Sequence, residues 1–263
     1  MSENKSRSER EVEVSVVMPC LNEARTIVAC IQEIQQTFEK FGVQGEVVVS
    51  DNGSTDGSVL LAEQHGAVVV HEDKRGYGNA CQAGMRAAHG KYIFKMDADG
   101  TYVPADIGAF LEEFNKGYDY VIGSRLKGNI LPSAMPFSHR YLGNPVMSIS
   151  ARLLCSTGIS DLCCGLKAFT REALTSLEFT SPGMVFGPET TIRSRQKGLK
   201  IAEVPITYRP DSREGHTNLN RYRDGINNML FIFRESFLFK RYAPRSEKKL
   251  SKDVQVMSSP SGK

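Results

Sequence analysis

Residues 92–100 read Tyr92-Ile93-Phe94-Lys95-Met96-Asp97-Ala98-Asp99-Gly100. The apolar run at 92–96 predicts a strand, and the Asp-x-Asp-Gly that follows predicts its end. If extended backbone continues past the strand, the period of two points Asp97 and Asp99 the same way. Two carboxylates on one side make a hard-oxygen site for Mg²⁺ or Mn²⁺, completed by water and phosphate oxygens. The competing reading is an Asp-Gly turn whose side chains bond their own backbone.

Upstream, the pattern repeats. Residues 12–18, 46–50 and 67–71 read as strands. Ile27, Ile31, Ile34, Phe38 and Phe41 recur at four-three spacing, an amphipathic helix. A second helix runs through Leu61 and His65, with Thr55 or Asp56 as its cap, and a small-residue helix covers 79–89. Downstream, Pro104 suits the first turn of a helix carrying Ile107, Phe110, Leu111 and Phe114, and 119–122 reads as a fifth strand. Strand–helix alternation with continuous apolar strands predicts an α/β fold, a mostly parallel sheet flanked by helices. The second half is less regular: helices near 140–155, 171–177, 187–197 and 220–240, and an edge strand at 201–208 interrupted by Pro205.

In an open α/β sheet, ligands bind outside the carboxyl ends of the strands. Three predicted strands end in polar clusters: Pro19-Cys20-Leu21-Asn22-Glu23, then Asp51-Asn52-Gly53-Ser54-Thr55-Asp56-Gly57, then Asp97-Ala98-Asp99-Gly100. Parallel strands put all three on one rim. Asp51 stands where such folds hydrogen-bond a nucleotide's ribose or base. Lys74, Arg75, Gly76, Tyr77 and Gly78 form a basic, glycine-containing loop before a helix, suited to an anion. A dinucleotide oxidoreductase would need glycines directly after the first strand, and this chain has none there.

Composition narrows the class. The chain has 263 residues and is 40% hydrophobic and 24% charged, which is ample for a large core without metal or disulfide staples. Its longest apolar run, 229–233, is too short to span a bilayer, and residues 1–11 lack the apolar stretch of a secretory signal. Residues 1–11 and 245–263 read as disordered tails around a domain at 12–225 and an amphipathic helix at 226–244. Net charge is +3, and residues 240–263 hold seven basic against two acidic side chains. A basic end beside apolar residues suits a membrane surface or a solvated tail. Nucleic acid is disfavoured as a partner, because aromatics are few near that tail and Trp is absent. The six cysteines show no metal or redox spacing and read as reduced, mostly buried thiols of a cytoplasmic protein. In the last helix, Ile226, Met229, Leu230, Phe233, Phe237 and Leu238 form an apolar stripe near Arg234, Lys240 and Arg241. Such a stripe can pack on the domain or lie in a bilayer interface.

Taken together, P-x-L-N-E at 19–23, S-D-N-G-S-T-D-G at 50–57, K-R-G-Y-G-N-A at 74–80 and D-A-D at 97–99 resemble the inverting family 2 glycosyltransferases of GT-A fold. Ile122-Gly123-Ser124-Arg125, His139-Arg140-Tyr141, Asp161 with Gly165-Leu166-Lys167-Ala168-Phe169, and Glu203-Val204-Pro205-Ile206 resemble the dolichyl- or polyprenyl-phosphate hexose synthases in particular. The resemblance covers roughly residues 12–240.

It implies a nucleotide-sugar donor of GDP-mannose or UDP-glucose type and a lipid-phosphate acceptor. Donor contacts would come from Pro19, Asn22, Glu23, Asp51, Lys74, Gly78, Asp97 and Ala98, with Asp51 on the base. Asp97 and Asp99 would hold the divalent ion, with Thr101 where the family often has Gln. Arg125, Arg140 and Arg213 would grip the acceptor phosphate. A phosphate dianion needs positioning rather than a general base, whereas a hydroxyl acceptor would need a carboxylate such as Glu189. A soluble hydroxyl acceptor and a non-catalytic nucleotide-sugar binder are the alternatives. Peripheral attachment at the cytoplasmic membrane face would suit a lipid acceptor.

Overall fold

The computed structural model describes residues 11–213 and 221–242, and within the last helix the side chains of 222–237. The predicted tails lie outside these residues except for Glu11, as do residues 214–220. The first half alternates as read: β1 (Val14–Cys20), α1 (Ile27–Phe41), β2 (Gly45–Asp51), α2 (Ser58–Gln64), β3 (Val68–His71), α3 (Tyr77–Ala87), β4 (Tyr92–Lys95) and α4 (Ile107–Asn115). One short 3₁₀ turn, Pro104–Asp106, leads into α4. The cap of α2 is Gly57 rather than Thr55 or Asp56, yet Asp56 still accepts the Ser58 amide at 3.1 Å.

The second half contains β5 (Tyr120–Ile130), α5 (Asn144–Cys155), β6 (Lys167–Thr170), α6 (Arg171–Thr175), α7 (Phe186–Gln196), β7 (Ile201–Tyr208) and α8 (Arg221–Tyr242). A π-helical turn, His139–Gly143, feeds α5. The sheet order is β3-β2-β1-β4-β6-β5-β7. All neighbours pair parallel except β6, which runs antiparallel to β4 and β5. β6 was not legible as a strand: it has four residues and begins with a lysine. β7, with Pro205, is the sheet edge, as its proline required.

The antiparallel insertion has a chemical consequence. Lys95 at the end of β4 pairs in register with Lys167 at the start of β6, and Lys167 also pairs with Ile122 of β5. Two lysines and the β5 continuation to Arg125 thereby reach the rim where β1, β2 and β4 end.

The main core lies on both faces of the sheet, with Val16, Met18, Val48, Phe94, Tyr120 and Phe169 among its fully enclosed members. A smaller cluster, Ala151, Cys155, Leu162, Ile192 and Ile232, joins α5, α7 and α8. The last helix is oriented against ordinary amphipathic logic. Asn228, Ile232, Glu235 and Ser236 are buried, whereas Ile226, Leu230, Phe233 and Phe237 are 47–74% exposed. At 100° per residue the two sets occupy opposite faces. The apolar stripe is therefore not what packs this helix. Glu235 is held inward by Arg193 (3.0 Å) and Gln196 (3.0 Å). α5 likewise turns Val146, Ile149 and Leu153 outward.

Candidate active site

Two cavities of about 360 Å³ each meet at a shared wall formed by Tyr77, Asp97, Asp99, Met184 and Arg213. The first is also lined by Pro19, Glu23, Asn52, Arg75 and Ala98. The second takes in Lys95, Arg125, Lys167, Tyr208 and Asn228. The β4 end is thus the hinge between a compartment built from the first half and one built largely from the second.

The two aspartates are set in different environments. Asp97 accepts from Lys95 Nζ (2.7 Å) and the Tyr77 hydroxyl (2.8 Å) through Oδ1. Burial pushes its carboxyl up, but the Lys95 ammonium and the Tyr77 bond outweigh this and hold it below the usual carboxylate range. Lys95 also donates to Gly165 O (3.0 Å) and lies 4.8 Å from the Tyr77 ring centre. Gly165 must be glycine here, since a Cβ would stand 2.3 Å from Asp97 Oδ2. Asp99 accepts the Thr101 amide (3.0 Å) and hydroxyl (2.6 Å) through Oδ1. Burial first, and Asp97 second, hold the Asp99 carboxyl above the usual range.

These residues fit a divalent ion. Arg213 already places a cation there, with its guanidinium 3.3 Å from Asp99 Oδ2, 3.0 Å from Glu23 and 2.6 Å from Asp211. Two carboxylates suit an ion that keeps waters or phosphates as its other ligands. No group of three or more His, Cys, Asp or Glu able to hold a metal exists among the described residues. Thr101 differs from its expected place: it is 2% exposed and its hydroxyl is donated to Asp99, so it holds the Asp99 carboxylate rather than facing either cavity.

Around the first cavity, several residues expected to contact a donor hold the loops instead of facing it. Asn22, at φ 59°, accepts the Thr55 amide (2.8 Å) and gives its own amide to Ser54 Oγ (2.9 Å), tying the first loop to the second. Asp51 accepts the Gly53 and Ser54 amides, both at 3.0 Å. Burial raises its carboxyl, but these bonds and His71 hold it low. Asn52, which the sequence reading did not single out, is the organiser. Its Nδ2 donates to Glu72 O (2.7 Å) and Lys74 O (3.0 Å), and its Oδ1 accepts the Gly76 amide (2.7 Å). Lys74 is exposed and away from both cavities, while Arg75 lines the first. The glycines of that loop do not cradle an anion: Pro182 O accepts the Gly78 (2.8 Å) and Asn79 (3.2 Å) amides. A Cβ at Gly78 would lie 2.1 Å from Ser181 O, so the glycine admits another backbone.

On the second side, Arg125 makes a bidentate pair with Asp161 (both bonds 2.7 Å) and lies 5.2 Å from the Tyr208 ring centre. It lines the cavity, but two of its nitrogens are committed to Asp161. Arg140 is half-buried over Tyr141 and outside the cavity lining, whereas its neighbour His139 is part of it. Glu189 is a clear correction. It is fully buried, accepts Thr180 N, Thr180 Oγ1 and Ser181 N at 3.0 Å each, and lines neither cavity. It anchors the 180–183 loop and is not placed to act as a base.

Lys167 was seen only as part of a motif, and its chemistry was missed. Its Nζ donates to Thr190 Oγ1 (2.9 Å), Leu162 O (3.5 Å) and Gly187 O, all neutral. Burial, helped by Lys95, pushes its ammonium down to about 8. The sequence carried no signal for this role, because Lys167 begins a four-residue strand that was not legible as one. The six cysteines are all free, five of them buried, with burial raising Cys20 to about 11 and Cys81 to about 12. They are therefore poor nucleophiles.

Comparisons with known proteins agree with this geometry. The family model described as glycosyl transferase family 2 matches residues 15–177. The low-salt glycan biosynthesis hexosyltransferase Agl6 of Haloferax volcanii is 38% identical over 83% of this chain. The match spans about half of that protein, 52%. The dolichyl-phosphate hexose transferase of the same organism is 33% identical over 81% of this chain and 89% of its own length. Glucosyl-3-phosphoglycerate synthase from Mycobacterium tuberculosis, solved with Mn²⁺, UDP and glucosyl-3-phosphoglycerate, superposes at TM-score 0.66 with 22% identity. That superposition covers 85% of this chain and 79% of the other, and it shows the shared GT-A fold. With the family model matching more than half of the chain and a relative 33% identical over 81% of it, the chain belongs to glycosyl transferase family 2.

Proposed function

We propose that this chain moves a hexosyl group from a nucleotide-diphosphate sugar, of UDP-glucose or GDP-mannose type, to a polyprenyl- or dolichyl-phosphate acceptor at a membrane surface, with inversion. The observation that carries the reading is the pairing of two features. One is a cavity bearing Lys95, Lys167 and Arg125. The other is the outward apolar face of α5 and α8, whose Asn144 and Asn228 reach into that cavity. A headgroup phosphate enters the cavity while its chain stays with the apolar face. Lys167, bonded to neutral groups, supplies charge that a phosphate would offset. The dolichyl-phosphate hexose transferase among the relatives supports the same acceptor.

The donor's diphosphate lies along the first cavity and reaches the shared wall. Asp97 and Asp99 would hold a divalent ion, Mg²⁺ or Mn²⁺, which when bound supplies positive charge to the departing diphosphate. Lys95 and Tyr77 keep Asp97 ionised and aimed, and Thr101 does the aiming for Asp99. The acceptor phosphate attacks C1 from the second cavity, opposite the leaving group. It is mostly dianionic at neutral pH and needs no proton removed. Arg125, fixed by Asp161, positions it.

A soluble hydroxyl acceptor is the second reading, because the glucosyl-3-phosphoglycerate synthase shares the fold. Glu189, the base that reading would use, lies outside both cavities. The test is transfer of labelled hexose from UDP-glucose and GDP-mannose, with Mn²⁺, to polyprenyl phosphate in detergent or to 3-phosphoglycerate. Product on the lipid alone supports the proposal; product on 3-phosphoglycerate alone overturns it.

A further inference from the structure

Helix α8 lies beyond the stretch matched by the family model, yet it reaches both cavities. Asp224 lines the first and Asn228, one turn later on the same face, lines the second. Asn228 is 8% exposed, and its Oδ1 has no hydrogen-bond partner among the described residues. A buried amide oxygen without a donor is costly. Such an orphan in a site wall points to a donor supplied by a ligand.

We infer that Asn228 is a specificity-determining residue that accepts a hydrogen bond from a hydroxyl of the hexosyl group being transferred. The inference rests on the transferase reading above. Its chemistry follows by elimination among the groups that reading brings to the second cavity. A phosphate dianion only accepts, and a polyprenyl chain does neither. The sugar ring alone carries donors there. The cavity wall shared with Asp97 and Asp99 puts the ring between the diphosphate and the incoming phosphate, within the compartment that Asn228 lines. The residue rides on the helix whose far face is apolar and exposed, so the position of that helix on its support also sets the position of the amide.

The experiment compares wild type, Asn228→Ala and Asn228→Asp with UDP-glucose and GDP-mannose and with the monodeoxy analogues of each. Three readouts are taken: transfer kcat/KM, calorimetric affinity for the sugar nucleotide, and affinity for UDP or GDP alone. In wild type, one deoxy position is expected to cost about tenfold or more. In Asn228→Ala that penalty disappears, because the parent sugar falls to the level of the analogue, while UDP or GDP affinity and Tm hold. Asn228→Asp, still an acceptor, keeps the selectivity. An unchanged deoxy penalty in Asn228→Ala overturns the inference, and so does a wild type indifferent to every deoxy position. If Asn228→Ala fails to fold, Asn228→Leu, close in size and without an acceptor, gives the same comparison. Absence of any lipid product from wild type is a separate outcome that defeats the acceptor reading; sugar-nucleotide calorimetry still decides the role of Asn228.

Discussion

The two cavities of the site are built by different means. Around the first cavity, polar side chains bond backbone close by in the fold's repeating loops: Asp51 to residues two and three ahead, Asp56 to Ser58, Asn52 to the loop after β3. Around the second, charged side chains hold the wall: Arg125 pairs with Asp161, Lys95 bonds Gly165 and Lys167 bonds Thr190, with Asn228 coming from the final helix. A βα repeat delivers residues to its rim by topology, so each loop can be stabilised locally. The irregular half has no such repeat and is held by long-range, buried, charged contacts.

The sharpest attack on this division is at the shared wall. Replacing Asp97 or Asp99 with Asn is expected to lower turnover by about 10²–10³-fold or more, read in the lipid-transfer assay. The two should then differ in stability. Asp99 titrates above the usual carboxylate range, so the folded state holds its proton more tightly than the unfolded state. The stability it contributes is present at low pH and is lost as pH rises through the raised value. Asp99→Asn therefore raises Tm at neutral pH, by roughly 2–4 °C for each kcal/mol relieved. Asp97, held low, contributes stability above the usual range, and Asp97→Asn lowers Tm. Equal shifts would erase the distinction. Mn²⁺ affinity in the wild type should likewise weaken on acidification at a pH above that of a free aspartate.

Next in size is the long-range pair. Asp161→Ala leaves the buried Arg125 without its partner and should cost about 3–5 kcal/mol in denaturant unfolding. Asp51→Ala loses only loop hydrogen bonds and should cost about 1–2 kcal/mol. A reversed order would break the comparison between halves. Glu189→Gln separates anchor from base: loss of about 1–3 kcal/mol with kcat per folded molecule retained fits an anchor. A fall of 100-fold in kcat at unchanged stability would restore the base. The smallest folding effect belongs to the outward face. Leu230→Glu with Phe233→Glu should shift Tm by no more than about 2–4 °C, since each surface change seldom exceeds about 0.5 kcal/mol. The same pair should abolish flotation with anionic liposomes and transfer to membrane-embedded acceptor. Retained flotation would show that this face does not meet a bilayer.

Much of the frame was legible in the order of residues. Continuous β-branched and aromatic runs closed by polar clusters gave β1, β2 and β4 and the rim. The strand-end rule put Asp97 and Asp99 at that rim, but the backbone turns at 98–99 and Asp99 accepts the Thr101 amide, so the turn, not a continued period of two, sets their directions. β6 was not legible, because four residues starting with lysine carry no periodic signal, and its antiparallel insertion is a pairing choice made across the sheet. The sequence could say that 226, 230, 233 and 237 share one helical face. It could not say which way that face turns, since that depends on Glu235 finding Arg193 and on Ile232 finding the α5–α7 cluster. Residue type and spacing determined the strands, the helices and the acidic pair, because those depend on local periodicity. Tertiary structure alone decided that Glu189 is an anchor, that Thr101 stands behind Asp99, and that Lys167 and Asn228 join the wall, because burial and partnership are properties of the packed chain.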